Sequence, residues 1–248
     1  MYLTVQGLVL RVTDYKDRDA ILTVLTRERG RISVKARGIR RRNNPMAVAC
    51  QLLALSEFAI FEYRDQLVIN DAHVVELFQG LRMDIQKLAL ATYFSQVAEL
   101  ISQEDMPNPE LLPLLLNSLH ALSKLGLPET KVKAVFELRC ACLAGFMPDL
   151  SGCAACMQDG AEFFDISEGS LICCNCQRVV PSGGIRLPIS AGMLAAMRFI
   201  CGCDPKRIFS FTIGDEAMEG LSNVTEAFLV TQLERGFSSL DFYKTLLI

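Results

Sequence analysis

An α+β protein is expected, with a small five-stranded barrel at the amino terminus and an all-helical domain after it that carries an inserted four-cysteine hairpin. Short runs rich in β-branched and apolar residues fill positions 4–75, and from Leu81 the apolar spacing becomes helical. Two Cys-x-x-Cys pairs then fall between Cys153 and Cys176. The expected boundaries are 1–79 for the barrel domain and 80–248 for the helical domain, the latter interrupted by an insertion at 150–182.

The strands are expected at 4–12, 20–26, 30–36, 52–63 and 66–75. Turn-forming stretches separate them: Thr13-Asp14-Tyr15-Lys16-Asp17, Arg27-Glu28-Arg29-Gly30 and Arg64-Asp65. Five short strands with one long connection at 37–51 suit a closed barrel of the oligonucleotide-binding (OB) type. An SH3-like barrel would leave much the same pattern.

Charge is distributed unevenly. Between Arg27 and Arg42 lie eight basic residues against the single acid Glu28, a net +7 that leaves −10 for the rest of a chain whose total is −3. A localised polyanion-binding patch on an otherwise acidic body produces such a contrast, although a charge run is also what a solvated face looks like. The third strand sorts the two roles by alternation. Ile32, Val34 and Ala36 fall on one face, and Arg31, Ser33, Lys35 and Arg37 on the other. Past Gly38 the chain enters Arg40-Arg41-Arg42-Asn43-Asn44-Pro45, expected to be an exposed, mobile loop whose guanidinium groups hold phosphates. On a barrel whose usual ligands are single strands, the phosphate-binding reading prevails, and its candidates are Arg31, Lys35, Arg37, Arg40, Arg41 and Arg42. Tyr2, Tyr15, Phe58, Phe61 and Tyr63 are the aromatic residues available for stacking on bases or for the core.

Helices follow. Leu81, Ile85, Leu88 and Thr92 recur at helical spacing, as do Leu90, Phe94, Val97 and Ile101, so this helix is apolar on both sides. Pro107 and Pro109 end it, and further helices are expected at 110–124, 129–146, 190–200, 215–234 and 237–248. Cys140 and Cys142 lie on one of these helices and read as buried thiols; Cys201 and Cys203 read as structural.

The cysteine stretch is Cys153-Ala-Ala-Cys156, then a spacer at 157–172, then Cys173-Cys174-Asn175-Cys176. Two such pairs bring four thiolates to one tetrahedral centre, and the spacer holds a hairpin of 163–166 and 170–172 about Ser167-Glu168-Gly169. One Zn²⁺ per chain on Cys153, Cys156, Cys173 and Cys176 is the expected occupant. Two disulfides or free thiols are the alternatives. Four protein ligands leave no open position, so the metal would be structural. The amino terminus lacks a signal peptide's charged and apolar regions, and no apolar run is long enough to span a bilayer. A reducing cytoplasm, which favours metal over disulfide, is expected.

Enzyme motifs are missing: no Gly-x-x-x-x-Gly-Lys-Ser/Thr loop, no Gly-x-Gly-x-x-Gly after a strand, no His-Glu-x-x-His and no Gly-x-Ser-x-Gly. His73 and His120 have no evident acid or nucleophile beside them. A binding protein, not an enzyme, is expected.

Several segments resemble one family. Asp14-Tyr15-Lys16-Asp17-Arg18-Asp19-Ala20-Ile21-Leu22-Thr23, Thr26-Arg27-Glu28-Arg29-Gly30 and Lys35-Ala36-Arg37-Gly38-Ile39-Arg40-Arg41 are similar to the amino-terminal domain of the bacterial recombination mediators of the RecO family. Phe136-Glu137-Leu138-Arg139, Gly145-Phe146-Met147-Pro148 and the cysteine pairs extend the resemblance over most of the chain; the last helices match only in character. The resemblance implies an OB barrel, a helical domain and a zinc-ribbon-like insertion. It implies a DNA repair and recombination protein, cytoplasmic and nucleoid-associated. Such a protein binds single- and double-stranded DNA and anneals complementary strands without ATP. With RecR it lets RecA replace single-strand-binding protein. Lys35, Arg37, Arg40, Arg41 and Arg42 match the family's DNA-binding surface, and Cys153, Cys156, Cys173 and Cys176 its metal pairs. Cys174 directly beside Cys173 departs from the family pattern and leaves the choice between the two open. The alternative reading is a zinc-containing RNA- or ribosome-binding OB module.

Overall fold

A computed structural model describes residues 2–64, 66–181 and 183–247. The Tyr63 side chain and the Asp65 half of the expected Arg64-Asp65 turn lie outside the described residues. Five strands, β1 (Tyr2–Tyr15), β2 (Asp19–Thr26), β3 (Gly30–Ala36), β4 (Leu55–Tyr63) and β5 (Gln66–Glu76), close into a barrel. Their order around it is β1-β2-β3-β5-β4, with β4 returning to β1. All neighbours are antiparallel except β3 and β5, which run parallel through Val34↔Leu67 and Lys35↔Val68. This is the OB-type barrel expected from the strand pattern.

Alternation places the core. Ile32, Val34 and Ala36 of β3 are buried against Leu22 and Val24 of β2 and Phe58 and Ile60 of β4, while the intervening residues of β3 reach the outside. β1 is longer than the sequence pattern indicates and is bulged between Val9 and Arg11, where Leu53 and Ala54 bond to Val9 instead. The connection after β3 is not the loose loop expected. It is a run of turns in which Arg41 N–H donates to Gly38 O, Asn44 N–H to Arg41 O and Asn44 Nδ2 to Gly38 O, with Ile39 buried beneath. Local Asn and Gly chemistry supplies these bonds, and apolar patterning does not register it.

The parallel β3–β5 contact covers only one half of β3. Beside the other half lies the segment 103–106, where Arg31 N–H donates to Gln103 O and Asp105 N–H to Arg31 O. Gly30 makes this possible, because its φ is +62° and a Cβ there would sit 2.1 Å from Met106 O. Gly30→Ala is therefore expected to destabilise the barrel by about 2 kcal/mol, the scale of left-handed strain. A lowered urea midpoint at unchanged m-value is the readout.

The chain divides into two compact units, residues 1–126 with 237–248, and residues 127–236. In the first, α1 (Gln79–Arg82), α2 (Ile85–Ile101) and α3 (Leu111–His120) follow the barrel, and a π-helical turn at Ala121–Leu125 follows α3. Asp84 caps α2 by accepting from Gln86 N and Lys87 N. The chain's last helix, which belongs to this unit, lies against α2: Tyr93 meets Phe237 edge-on at 5.3 Å and Ser239 Oγ donates to Gln96 Oε1.

The second unit is built from α4 (Glu129–Leu143), a four-stranded sheet of β6 (Asp149–Cys153), β7 (Phe163–Asp165), β8 (Ser170–Ile172) and β9 (Arg186–Pro188), the short α5 (Cys174–Gln177), α6 (Ala191–Gly202) and α7 (Asp215–Gln232). The final helix, α8, spans Ser238–Thr245. Where α4 packs on α7, the buried Lys133 ammonium sits 3.1 Å from Glu137 and 2.8 Å from Glu226, with Ser222 also in reach. Burial alone would strip the charge from Lys133; the two carboxylates more than offset this and raise its pKa. No helix among the described residues is long and apolar enough to cross a membrane.

Candidate functional site

The cysteine site is assembled by two knuckles held in register by the sheet. β8 lies between β6, which ends in Cys153, and β7, so that both pairs arrive at one end of the sheet. The first knuckle closes through Met157 N–H to Cys153 O at 2.7 Å, and the second through Gln177 N–H to Cys173 O at 2.9 Å. Buried Asp165 binds the Arg186 guanidinium at 3.0 Å, and Arg186 also donates to the carbonyls of Gln177 and Val180, tying the second knuckle to β7 and β9. Phe164 meets Phe228 of α7 edge-on at 5.2 Å and anchors the sheet on the helices.

The Sγ atoms of Cys153, Cys156, Cys173 and Cys176 all lie within 4.8 Å of one another, with Cys156 and Cys173 at 3.9 Å. Backbone N–H groups point at the sulfurs, Cys173 N–H at Cys153 Sγ and Cys176 N–H at Cys173 Sγ, both at 3.4 Å. Burial opposes charge on Cys153, but the N–H donors of Cys173, Cys156 and Ala155 outweigh it and bring its pKa down to about 6. Cys176, crowded by Cys173 and then by the other thiols, is pushed up to about 12. Four sulfurs drawn together, with donors aimed at them, fit a soft tetrahedral cation.

The choice left open by the sequence is resolved by local geometry. Cys173 caps α5 by accepting from Cys176 N–H and points into the cluster. Cys174 is exposed, lies 3.9 Å from Asn175 Oδ1, and has its pKa raised by a hydrogen bond to Glu162. Outside the cluster, Cys140 is buried on α4, while Cys142 of α4 and Cys201 of α6 bring their sulfurs to 3.8 Å. The sequence groups Cys142 with Cys140 and Cys201 with Cys203, and nothing in a separation of 59 residues signals that Cys142 meets Cys201.

The basic residues do not form one continuous patch. Arg29 is paired with Asp105 at 2.8 Å, and Arg31, half-buried, donates to Glu99 O at 3.0 Å. Arg11 is paired with the Glu99 carboxylate at 2.9 Å. The end of the run nearest the strand's start therefore faces acidic groups. The other end is open. Arg37, Arg40, Arg41 and Arg42 are exposed, and Lys35 is half-buried with its ammonium 4.6 Å above the Tyr15 ring. Lys16 and Arg18 in the β1–β2 turn are exposed as well, and Arg40 N–H donates to Arg18 O.

Asp19 organises this end. Its Oδ1 accepts from Gly38 N–H at 2.8 Å and its Oδ2 lies 3.4 Å from Lys35, so the Gly38 amide and the Lys35 ammonium hold its carboxyl below the ordinary value. Arg40 is bound to Asp14 at 2.9 Å, whereas Arg37, Arg41 and Arg42 have no ion pair among the described residues. Of the candidate stacking residues, Phe58 is fully buried in the core, but Tyr2 is 71 % exposed, Tyr15 is exposed and Phe61 is half-buried.

Comparison with known proteins places these features in a family. Residues 1–78 match the family described as Recombination protein O N terminal, and residues 82–241 that described as Recombination protein O C terminal. The chain is 31 % identical over 247 residues to the DNA repair protein RecO of Acetivibrio thermocellus, covering 99 % of this chain and 97 % of the relative. It is 28 % identical to the DNA repair protein RecO of Alkaliphilus metalliredigens, covering 98 % and 99 %. With the DNA repair protein RecO of Anaeromyxobacter sp. strain K it shares 36 % identity over 196 residues, 77 % of this chain and 76 % of the relative. With both its domains matched in order and the four cysteines converging where the sequence pairs them, the chain belongs to the RecO family of DNA repair proteins.

Proposed function

We propose that this protein is a recombination mediator that binds single- and double-stranded DNA through the outer end of its barrel and anneals complementary strands without ATP. The observation that carries the reading is the group of cations, exposed Arg37, Arg40, Arg41 and Arg42 with half-buried Lys35, gathered at the exit of β3 on an OB-type barrel. Guanidinium contacts to phosphate fix a strand without consuming its base edges, so the bases remain available for a partner strand. Bringing the second strand into the same positive field lowers the repulsion between backbones, and base pairing supplies the driving force. No bond is made or broken in this process, and no enzymatic role is assigned to the chain.

Zinc is the proposed occupant of the cysteine cluster. Its ligands would be Cys153, Cys156, Cys173 and Cys176, and it would lock the two knuckles together, a structural role with no open coordination position. RecR and single-strand-binding protein are the proposed protein partners, with RecA loaded as the consequence, in the cytoplasm on the nucleoid. Family membership supports these partners.

The test is to coat complementary oligonucleotides with single-strand-binding protein and follow duplex formation by fluorescence without nucleotide. Pairing several-fold faster than the buffer control is expected. Binding of the coated strands with no acceleration would overturn the mediator reading and favour an RNA ligand for the barrel.

A further inference from the structure

We propose that the barrel's outer face carries a stacking subsite for an unpaired nucleobase, formed by Tyr2, Phe61 and Val68 beside Arg37, and that this subsite gives the protein a preference for single strands. The proposal rests on the nucleic-acid reading above and deepens it.

Register places these residues together. Tyr2 of β1 is opposite Phe61 of β4, Phe61 is opposite Val68 of β5, and Val68 is opposite Lys35 of β3. Residues directly opposite one another on paired strands share a face. That face is the outside, because the alternate positions Ile60 and Ile69 are buried in the barrel. An apolar and aromatic row therefore crosses three strands on the outer surface and ends at the basic row of β3. The Tyr2 and Phe61 rings lie 4.9 Å apart, with Tyr2 71 % exposed. Next to them opens a cavity of about 350 Å³ lined by Arg37, Phe61, Gln66 and Val68.

The chemistry of the lining selects the occupant. Phe61 and Val68 offer an apolar wall to a flat ring, and the Gln66 carboxamide can both donate to and accept from a base edge. Arg37 can stack on a base or bind its phosphate, and Lys35 lies at the end of the same row. A base in a duplex has both faces covered by its neighbours and cannot enter such a wall. A base in a single strand can. Phosphate contacts alone would not distinguish the two forms so directly.

The experiment measures affinity for a single-stranded oligonucleotide and for a duplex of equal length, with wild type and with Tyr2→Leu and Phe61→Leu, which keep apolar bulk but remove the aromatic face. A strand carrying 2-aminopurine reports stacking directly through quenching. Each variant is expected to lose about tenfold in single-strand affinity, the order of one base–aromatic stack, with less quenching and unchanged duplex affinity, salt slope and thermal midpoint. Arg41→Ala, a phosphate contact, is expected to weaken both forms alike. Equal losses of single-strand and duplex affinity in the leucine variants, or no loss in either, would overturn the subsite and leave DNA binding standing. Wild type that binds neither form would overturn the nucleic-acid reading and the subsite with it.

Discussion

Protein prepared without chelator is expected to carry about one zinc per chain, and Cys153→Ser or Cys176→Ser to carry none. The expectation follows from four sulfurs within 4.8 Å of one another, too many like groups to ionise together without a cation between them. Structural zinc sites of this kind bind with roughly 10–16 kcal/mol of apparent free energy at neutral pH, and that energy is folding energy for the segment around them. In this chain the segment is a sheet of short strands, three of them only three residues long, with a small core of Leu150, Ala161, Phe164, Ile166, Leu171 and Ile172. Losing the metal should therefore unfold the region near 150–188, seen as new protease cleavage there. The barrel, which has its own core and lies in the other unit, should keep its urea midpoint. Cys174→Ser is the control and should retain the metal, since its thiol points away from the cluster. Elemental analysis reads all three variants. A wild-type chain without metal, or a Cys153→Ser variant that keeps a full equivalent, would sink the assignment.

Much of this was legible in the sequence because the relevant signals are local or periodic. β3 shows it best: strict alternation over seven residues placed Ile32, Val34 and Ala36 inside, and the structure buries all three to within 1 % exposure. The cysteine pairs were equally plain, since each knuckle is a four-residue unit. What stayed hidden depends on contacts between distant segments. Arg31 reads as one more surface cation, yet its guanidinium is turned to Glu99 by a segment that returns some seventy residues later. The placement of α8 against α2 comes from rings such as Tyr93 and Phe237, whose spacing carries no message about each other. β6 and β9 are too short to show a period, and their pairing is imposed by the knuckles and the Asp165–Arg186 bridge. Tyr2 and Phe61 look like core residues in a one-dimensional pattern. Only the closed register of the barrel shows that they face outward.

Replacing Arg40, Arg41 and Arg42 together by alanine is expected to weaken binding of every DNA sequence alike, by about a hundredfold at 0.1 M monovalent salt. Each phosphate neutralised on a single strand adds about 0.7 to the slope of log affinity against log salt, so three lost contacts should flatten that slope by about two. The three residues should not contribute equally. Arg40 already has a carboxylate, Asp14 at 2.9 Å, and a phosphate must compete with it; Arg41 and Arg42 have no such rival among the described residues. Arg41→Ala and Arg42→Ala should thus each lower the slope by close to one full contact, and Arg40→Ala by less. Fold is a small concern, since all three side chains are exposed and the turns that carry them are held by backbone bonds and by Asn44. If annealing works by neutralising two backbones in one field, the triple variant should also lose its acceleration of pairing, and should lose it at lower salt than wild type. Unchanged affinity and slope in a folded triple variant would place the DNA surface elsewhere on the chain. Equal slopes for the three single variants would mean that the Asp14 bridge opens freely and sets no order among them.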